Sequence, residues 1–130
     1  MAAVLLDTTV LIDALRGRRA GERILELLRK GDTPFVCAVN VEEVYRGLRP
    51  GEEKHTDRFI AGLREAPLGA DEGRVAGRWR RDHAASGWTL SQADCLVAAA
   101  AHGIGARLAT GNPKDFPMDE LTVEHWPAGE

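Results

Sequence analysis

The stretch Val4-Leu5-Leu6-Asp7-Thr8-Thr9-Val10-Leu11-Ile12-Asp13 narrows the possible folds more than any other. Its first apolar run is too short for a helix and too apolar for a strand with one wet face, so it reads as a buried parallel strand. Asp7 ends that run, and the second run has the spacing of a helix start. A carboxylate therefore stands where a central strand hands over to a helix, the edge at which open α/β sheets bind ligands. The next question is which other acids reach the same edge.

Further short apolar runs alternate with helical patterns. Phe35-Val36-Cys37-Ala38 predicts a second strand, with Asn40 as N-cap of a helix over 41–48 that Pro50-Gly51 breaks. Helices are expected from Gly21, over 52–65 (Phe59, Ile60 and Leu63 on one face), and over 71–86 with Val75 and Trp79 inward. Pro67-Leu68-Gly69 allows only a short edge strand. Ser91 caps a helix over 92–102 whose alanine-rich interior must be buried on nearly every side. Arg107 to Thr110 and Leu121 to Trp126 are the remaining strands. This alternation predicts one domain over residues 1–130, an α/β three-layer α/β/α sandwich around a mostly parallel sheet of four to five short strands.

Four acids occupy equivalent places: Asp7 after the first strand, Glu43 and Asp94 in the first turns of two helices, and Asp115 after the strand ending at Thr110. Each has an ordinary structural explanation. Asp7 can cap the helix at Val10, and Glu43 can complete a capping box with Asn40. Asp94 can do the same with Ser91, and Asp115 can close a turn with Asn112. Together they suggest more. Several carboxylates sharing one small volume repel, and one is pushed towards its protonated form unless a cation intervenes. An all-oxygen donor set suits Mg²⁺ or Mn²⁺ rather than zinc. His55, His83, His102 and His125 are scattered and read as surface or helix-end residues. Cys37 and Cys95 lie in apolar surroundings and read as small buried hydrophobes.

Charge and hydropathy set limits. The formal charge is −3 and the pI about 5.8, so any nucleic-acid binding must be local. Arg74, Arg78 and Arg81 share a helical face, most simply a solvated one. Arg46, three residues beyond Glu43, is the better phosphate contact. Leu48, Phe59, Leu63 and Trp79 read mainly as core, and otherwise as partner contacts. No apolar run approaches the roughly 20 residues of a membrane span. With no basic segment ahead of the first run, a cytoplasmic home is expected.

Four segments resemble the PIN-domain family, specifically the VapC-type toxin ribonucleases of bacterial toxin–antitoxin pairs. They are Leu5-Leu6-Asp7-Thr8-Thr9 with Ile12-Asp13; Glu43-Val44-Tyr45-Arg46-Gly47; Ala93-Asp94-Cys95-Leu96-Val97-Ala98-Ala99; and Thr110-Gly111-Asn112-Pro113-Lys114-Asp115-Phe116. The resemblance implies a divalent-metal-dependent endoribonuclease using Mg²⁺ or Mn²⁺. It puts the acidic residues at Asp7, Glu43, Asp94 and Asp115, with Asp7 and Asp94 as direct ligands. Hydroxyl and amide positions fall on Thr8 or Thr9, Thr110 and Asn112. Water attack on RNA would leave a 5′-phosphate. The resemblance also implies an antitoxin that covers the site and commonly a homodimer. The chain departs from the pattern at Asn40, where the family usually carries Thr. It departs again at Gly111, which is expected to loosen the loop holding Asn112 and Asp115.

Three alternatives stand beside this reading. One is an inactive PIN-like module that sequesters an antitoxin or RNA. Another is a haloacid-dehalogenase-like phosphatase, whose second Asp is missing because Thr9 occupies its place. The third is a DNA nuclease of the wider PIN group, for which the chain has no clamping elements.

Overall fold

The computed structural model describes residues 1–129. Five strands, β1 (Ala3–Leu6), β2 (Thr33–Val36), β3 (Arg64–Glu65), β4 (Arg107–Thr110) and β5 (Val123–His125), form one parallel sheet in the order β3-β2-β1-β4-β5. The six helices are α1 (Thr8–Leu15), α2 (Arg19–Arg29), α3 (Ala38–Arg46), α4 (Glu53–Ala61), α5 (Ala70–Ala85) and α6 (Gln92–Gly103). The expected layered α/β sheet is thus present, and β1 lies at its centre between β2 and β4.

Strand periodicity explains the layers. Leu5 and Leu108 point into one core with Trp79, Cys95 and the α6 alanines. Val4, Leu6 and Ala109 point into the other, with Val10, Leu11, Ile24, Leu27 and Val44. Ala98, Ala99, Ala100 and Ala101 are buried, and their small side chains let α6 lie close to both α5 and β4. Deleting Leu5, wholly enclosed in the sheet, would cost about 2–5 kcal/mol. Cys37 and Cys95 are buried free thiols, as expected. Trp79 is core, with its indole N–H donating to Glu120 at 2.7 Å. Leu48, Phe59 and Leu63 are partly buried against the second core.

Two expectations about local structure fail. The edge strand is Arg64–Glu65, paired with Phe35 and Val36, rather than Pro67-Leu68-Gly69. Pro67 has no N–H to give a ladder, and a two-residue charged edge strand carries no apolar alternation to betray it. The second failure is the start of α3. The helix begins at Ala38 with Cys37 at the N-cap, so Asn40 lies inside its first turn and Glu43 in its second. Asn40 is fully buried and accepts the Cys37 N–H at 3.2 Å. It therefore serves the helix start from the third position instead of capping it.

No helix among the described residues is long and apolar enough to cross a membrane. Because all strands run parallel, the ends of β1, β2 and β4 open on one edge, where Asp7, the start of α3 and the Thr110–Asp115 loop meet.

Candidate active site

At that edge lies a pocket of about 230 Å³ lined by Asp7, Thr8, Thr9, Ile12, Glu43, Arg46, Asp94, Asn112 and Asp115. Four elements supply its carboxyls: the β1–α1 junction, α3, α6 and the 3₁₀ turn Pro113–Asp115. Among the described residues no histidine or cysteine lines it.

Asp7 is the most enclosed of the four, 7% exposed. It stands at the N-cap of α1, yet its side chain makes no cap bond. It accepts instead from the Thr110 hydroxyl at 2.7 Å, across 103 positions of chain. Burial drives its carboxyl up to about 6. The Thr110 hydroxyl and the Thr8 N–H pull it down, while the charges of Asp94 and Glu43 push it up. Thr110 is fully buried, and its oxygen also accepts the Asn112 N–H at 3.1 Å. It sits behind Asp7 and gives its proton to that carboxylate.

Glu43 does not close a capping box with Asn40. It accepts the Thr8 hydroxyl at 2.6 Å, and Thr8 in turn accepts from the Asn40 amide at 3.1 Å. Thr8 has one proton and gives it to Glu43. Thr9 is the hydroxyl that remains available. It accepts the Gly111 N–H at 3.0 Å and donates to no described residue.

Asp94 is half-buried in the first turn of α6, where its N–H donates to the Ser91 hydroxyl at 3.0 Å. The local cap therefore exists, but the backbone makes it, and the side chain lines the pocket. Burial raises the Asp94 carboxyl, the Ser91 hydroxyl opposes this, and the charges of Asp115 and Glu43 add to it. Asp115 and Asn112 are exposed on the rim, joined through the Asp115 N–H to the Asn112 carbonyl at 3.1 Å.

Gly111 does the opposite of loosening this loop. A Cβ there would meet Thr9 Oγ1 at 3.3 Å and Ala128 Cβ at 3.5 Å. The absent side chain lets the loop close onto α1. Arg46 is exposed at the rim and makes no ion pair with a described residue. Arg74 and Arg81 lie outside the pocket and pair with Asp71 and Asp82, as a solvated face would.

Sequence reasoning missed two residues here. The linking role of Asn40 leaves only a faint trace, the Cys37-x-x-Asn40 spacing. Asp13, 5% exposed, holds Arg18 at 3.0 Å and the Gly129 N–H at 2.8 Å, which ties the end of the described chain to α1.

The donor set suits a hard divalent cation. It is all oxygen, its most buried member is held well above the ordinary carboxylate range, and like charges contribute to that rise. Among the described residues no three Asp, Glu, His or Cys side chains stand close enough together to hold an ion as they are placed. The carboxyls surround a space rather than touching one point.

Comparison with known proteins agrees with this geometry. The PIN domain family model matches residues 4–118. Ribonuclease VapC19 of Mycobacterium tuberculosis is 31% identical over 115 residues, covering 88% of this chain and 92% of that protein. Among solved structures, VapBC2 from Rickettsia felis, bound to a DNA fragment from their promoter, superposes with a TM-score of 0.83. It has 24% identity and covers 95% of this chain and 98% of that one. A toxin–antitoxin complex from Klebsiella pneumoniae gives a TM-score of 0.75 at 23% identity, covering 92% and 95%.

Proposed function

The chain belongs to the PIN-domain family, and from that premise we propose that its acidic pocket is the centre of a divalent-metal-dependent endoribonuclease, the toxin half of a toxin–antitoxin pair. The observation that carries this reading is that Asp7, Glu43, Asp94 and Asp115 line one pocket. Glu43 and Asp94 both act on Asp7, and Glu43 and Asp115 both act on Asp94, although they come from four separate parts of the chain.

Asp7 and Asp94 would hold Mg²⁺ or Mn²⁺ directly, with Glu43 and Asp115 completing the donor set directly or through water. When bound, such an ion lowers the pKa of water and offsets charge on a phosphodiester. The rest falls to the chain's own groups. Thr110 fixes the Asp7 carboxylate by donating to one of its oxygens. Thr9 offers its free proton to a phosphate oxygen. Arg46, exposed at the rim and paired with no described acid, meets the RNA backbone and accounts for a local, salt-sensitive attraction on an acidic protein. Asn112 lies exposed on the rim, where it can bond the phosphate or its ribose.

Beside the acidic pocket, and sharing Ile12 with it, lies a mostly apolar groove of about 200 Å³ between α1, α3 and α4. Leu25 and Leu28 stand about half exposed on α2. The groove beside the site supports a protein partner, the cognate antitoxin, and the exposed leucines of α2 support a second copy of the chain in a homodimer. A cytoplasmic setting accords with this role. The binding-only alternative would leave the four acids that line the pocket without a part to play.

Expressing the chain alone, beside Asp7→Asn, and sequencing the 5′ ends of cellular RNA tests the reading. New 5′-phosphate ends with the parent only are expected. Identical RNA ends from the two proteins would overturn it.

A further inference from the structure

The hydrogen-bond inventory around Asn40 is fully determined by chemistry. The Cys37 N–H can only donate, and it points at Asn40 at 3.2 Å, so the atom facing it is the amide oxygen. The Cys37 thiol, 3.1 Å from the same oxygen, can donate there as well. The amide nitrogen therefore faces Thr8 Oγ1 at 3.1 Å and must donate to it. Thr8 then has a single proton, and Glu43 Oε1 lies 2.6 Å away to receive it. Every bond runs one way, from Cys37 through Asn40 and Thr8 to Glu43. Asn40 is fully buried and Cys37 likewise, so water does not compete for the inner links.

We propose that Asn40 is a positioning residue for the metal centre, acting through Thr8 to hold the Glu43 carboxylate with one oxygen fixed and the other presented to the pocket. This rests on the functional reading of Glu43 given above. The residue that departs from the family pattern is then an active part of this chain's site. Asparagine reaches further than threonine, and it has an acceptor for the helix start and a donor for Thr8 on one planar group. A threonine at position 40 has a shorter arm and a single oxygen, which cannot stand both where the asparagine oxygen meets the Cys37 N–H and where its nitrogen meets Thr8.

The test is Mn²⁺ binding to the intact protein without RNA, followed by titration calorimetry or by electron paramagnetic resonance of free Mn²⁺. Outer residues that orient metal ligands typically change affinity by about 10–100-fold. Asn40→Ala is expected to weaken Mn²⁺ by about tenfold, as is Thr8→Val, while Thr8→Ser stays near the parent. The distinguishing measurement is the double variant. Asn40→Ala should weaken binding no further in a Glu43→Gln background, because its only route to the metal runs through Glu43. A residue of purely structural importance would lower thermal stability and leave Mn²⁺ affinity within twofold, and that result overturns the proposal. So does equal weakening in both backgrounds. If Glu43→Gln binds Mn²⁺ as tightly as the parent, the reading of Glu43 itself fails, and the proposal falls with it. Should Asn40→Ala not fold, the Thr8 pair decides. The Asn40 side-chain amide should exchange slowly with solvent in the parent and in Thr8→Ser, and fast in Thr8→Val. Unchanged protection together with unchanged Mn²⁺ affinity in Thr8→Val refutes the relay.

Discussion

Replacing Asp7 by Asn should stabilise the metal-free protein at neutral pH, and the sign follows from burial. Asp7 has its carboxyl raised from 3.8 to about 6, chiefly because it is enclosed. For a raised acid the folded state binds more protons than the unfolded one between those values. Stability therefore falls as pH climbs from about 4 to about 6, and the full penalty applies above that. At 1.36 kcal/mol per pH unit the rise amounts to about 3 kcal/mol. Asparagine carries no charge to desolvate, and its carbonyl can still accept the Thr110 hydroxyl. Its amino group cannot accept the Thr8 N–H, which returns about 1 kcal/mol. The net gain at pH 7.5 is about 2 kcal/mol, or roughly 5–10 °C for a chain of this length. At pH 4 the gain should vanish. Urea denaturation of both proteins in chelator, at several pH values, measures it. Excess Mn²⁺ should then reverse the order, since an ion at a hundred times its dissociation constant stabilises the parent alone by about 2.7 kcal/mol. A difference between the two proteins that is the same at pH 4 and pH 7.5 would refute the idea that Asp7 is held in an uncompensated, desolvated state.

Other outcomes follow from the same geometry. Glu43→Gln and Asp94→Asn should each lower RNA cleavage by about 100-fold or more with circular dichroism unchanged, and chelation should do the same to the parent. Thr110→Val removes the 2.7 Å bond that holds the Asp7 carboxyl down. Carbon-13 NMR titration of the metal-free protein should then find Asp7 ionising above its parent value. Gly111→Ala gives a test of sign. At an ordinary φ the change usually stabilises by about 0.4–1 kcal/mol, but contact with Thr9 and Ala128 should make it destabilising by about 1 kcal/mol in urea. Arg46→Ala should raise KM for RNA more than it lowers kcat and reduce the salt slope of binding by about one.

Much of this molecule was legible along the chain because its signals are local. Val4-Leu5-Leu6 could only be a doubly buried strand, and its place at the centre of the sheet follows from that. The alanine run of α6 could only pack tightly on every side. Asp7, Glu43, Asp94 and Asp115 could be picked out because each follows a strand or stands near the start of a helix at the same edge of a parallel sheet. Where the elements begin was less legible. Asn40 looked like an N-cap because asparagine usually is one, whereas the chain turns into α3 two residues before it and buries it whole.

What hydroxyls do was not legible at all. Thr8, Thr9 and Thr110 are the same residue type, yet one proton goes to Glu43, one to Asp7 and one remains free. Gly111 likewise read as a loose hinge until the fold brought Thr9 against it. Periodicity and apolar runs report what a segment must bury, so the chain alone decides its strands, its helices and the edge where its acids gather. A hydrogen bond depends on which atom stands within 3 Å, and for pairs up to 103 positions apart only the folded chain determines that.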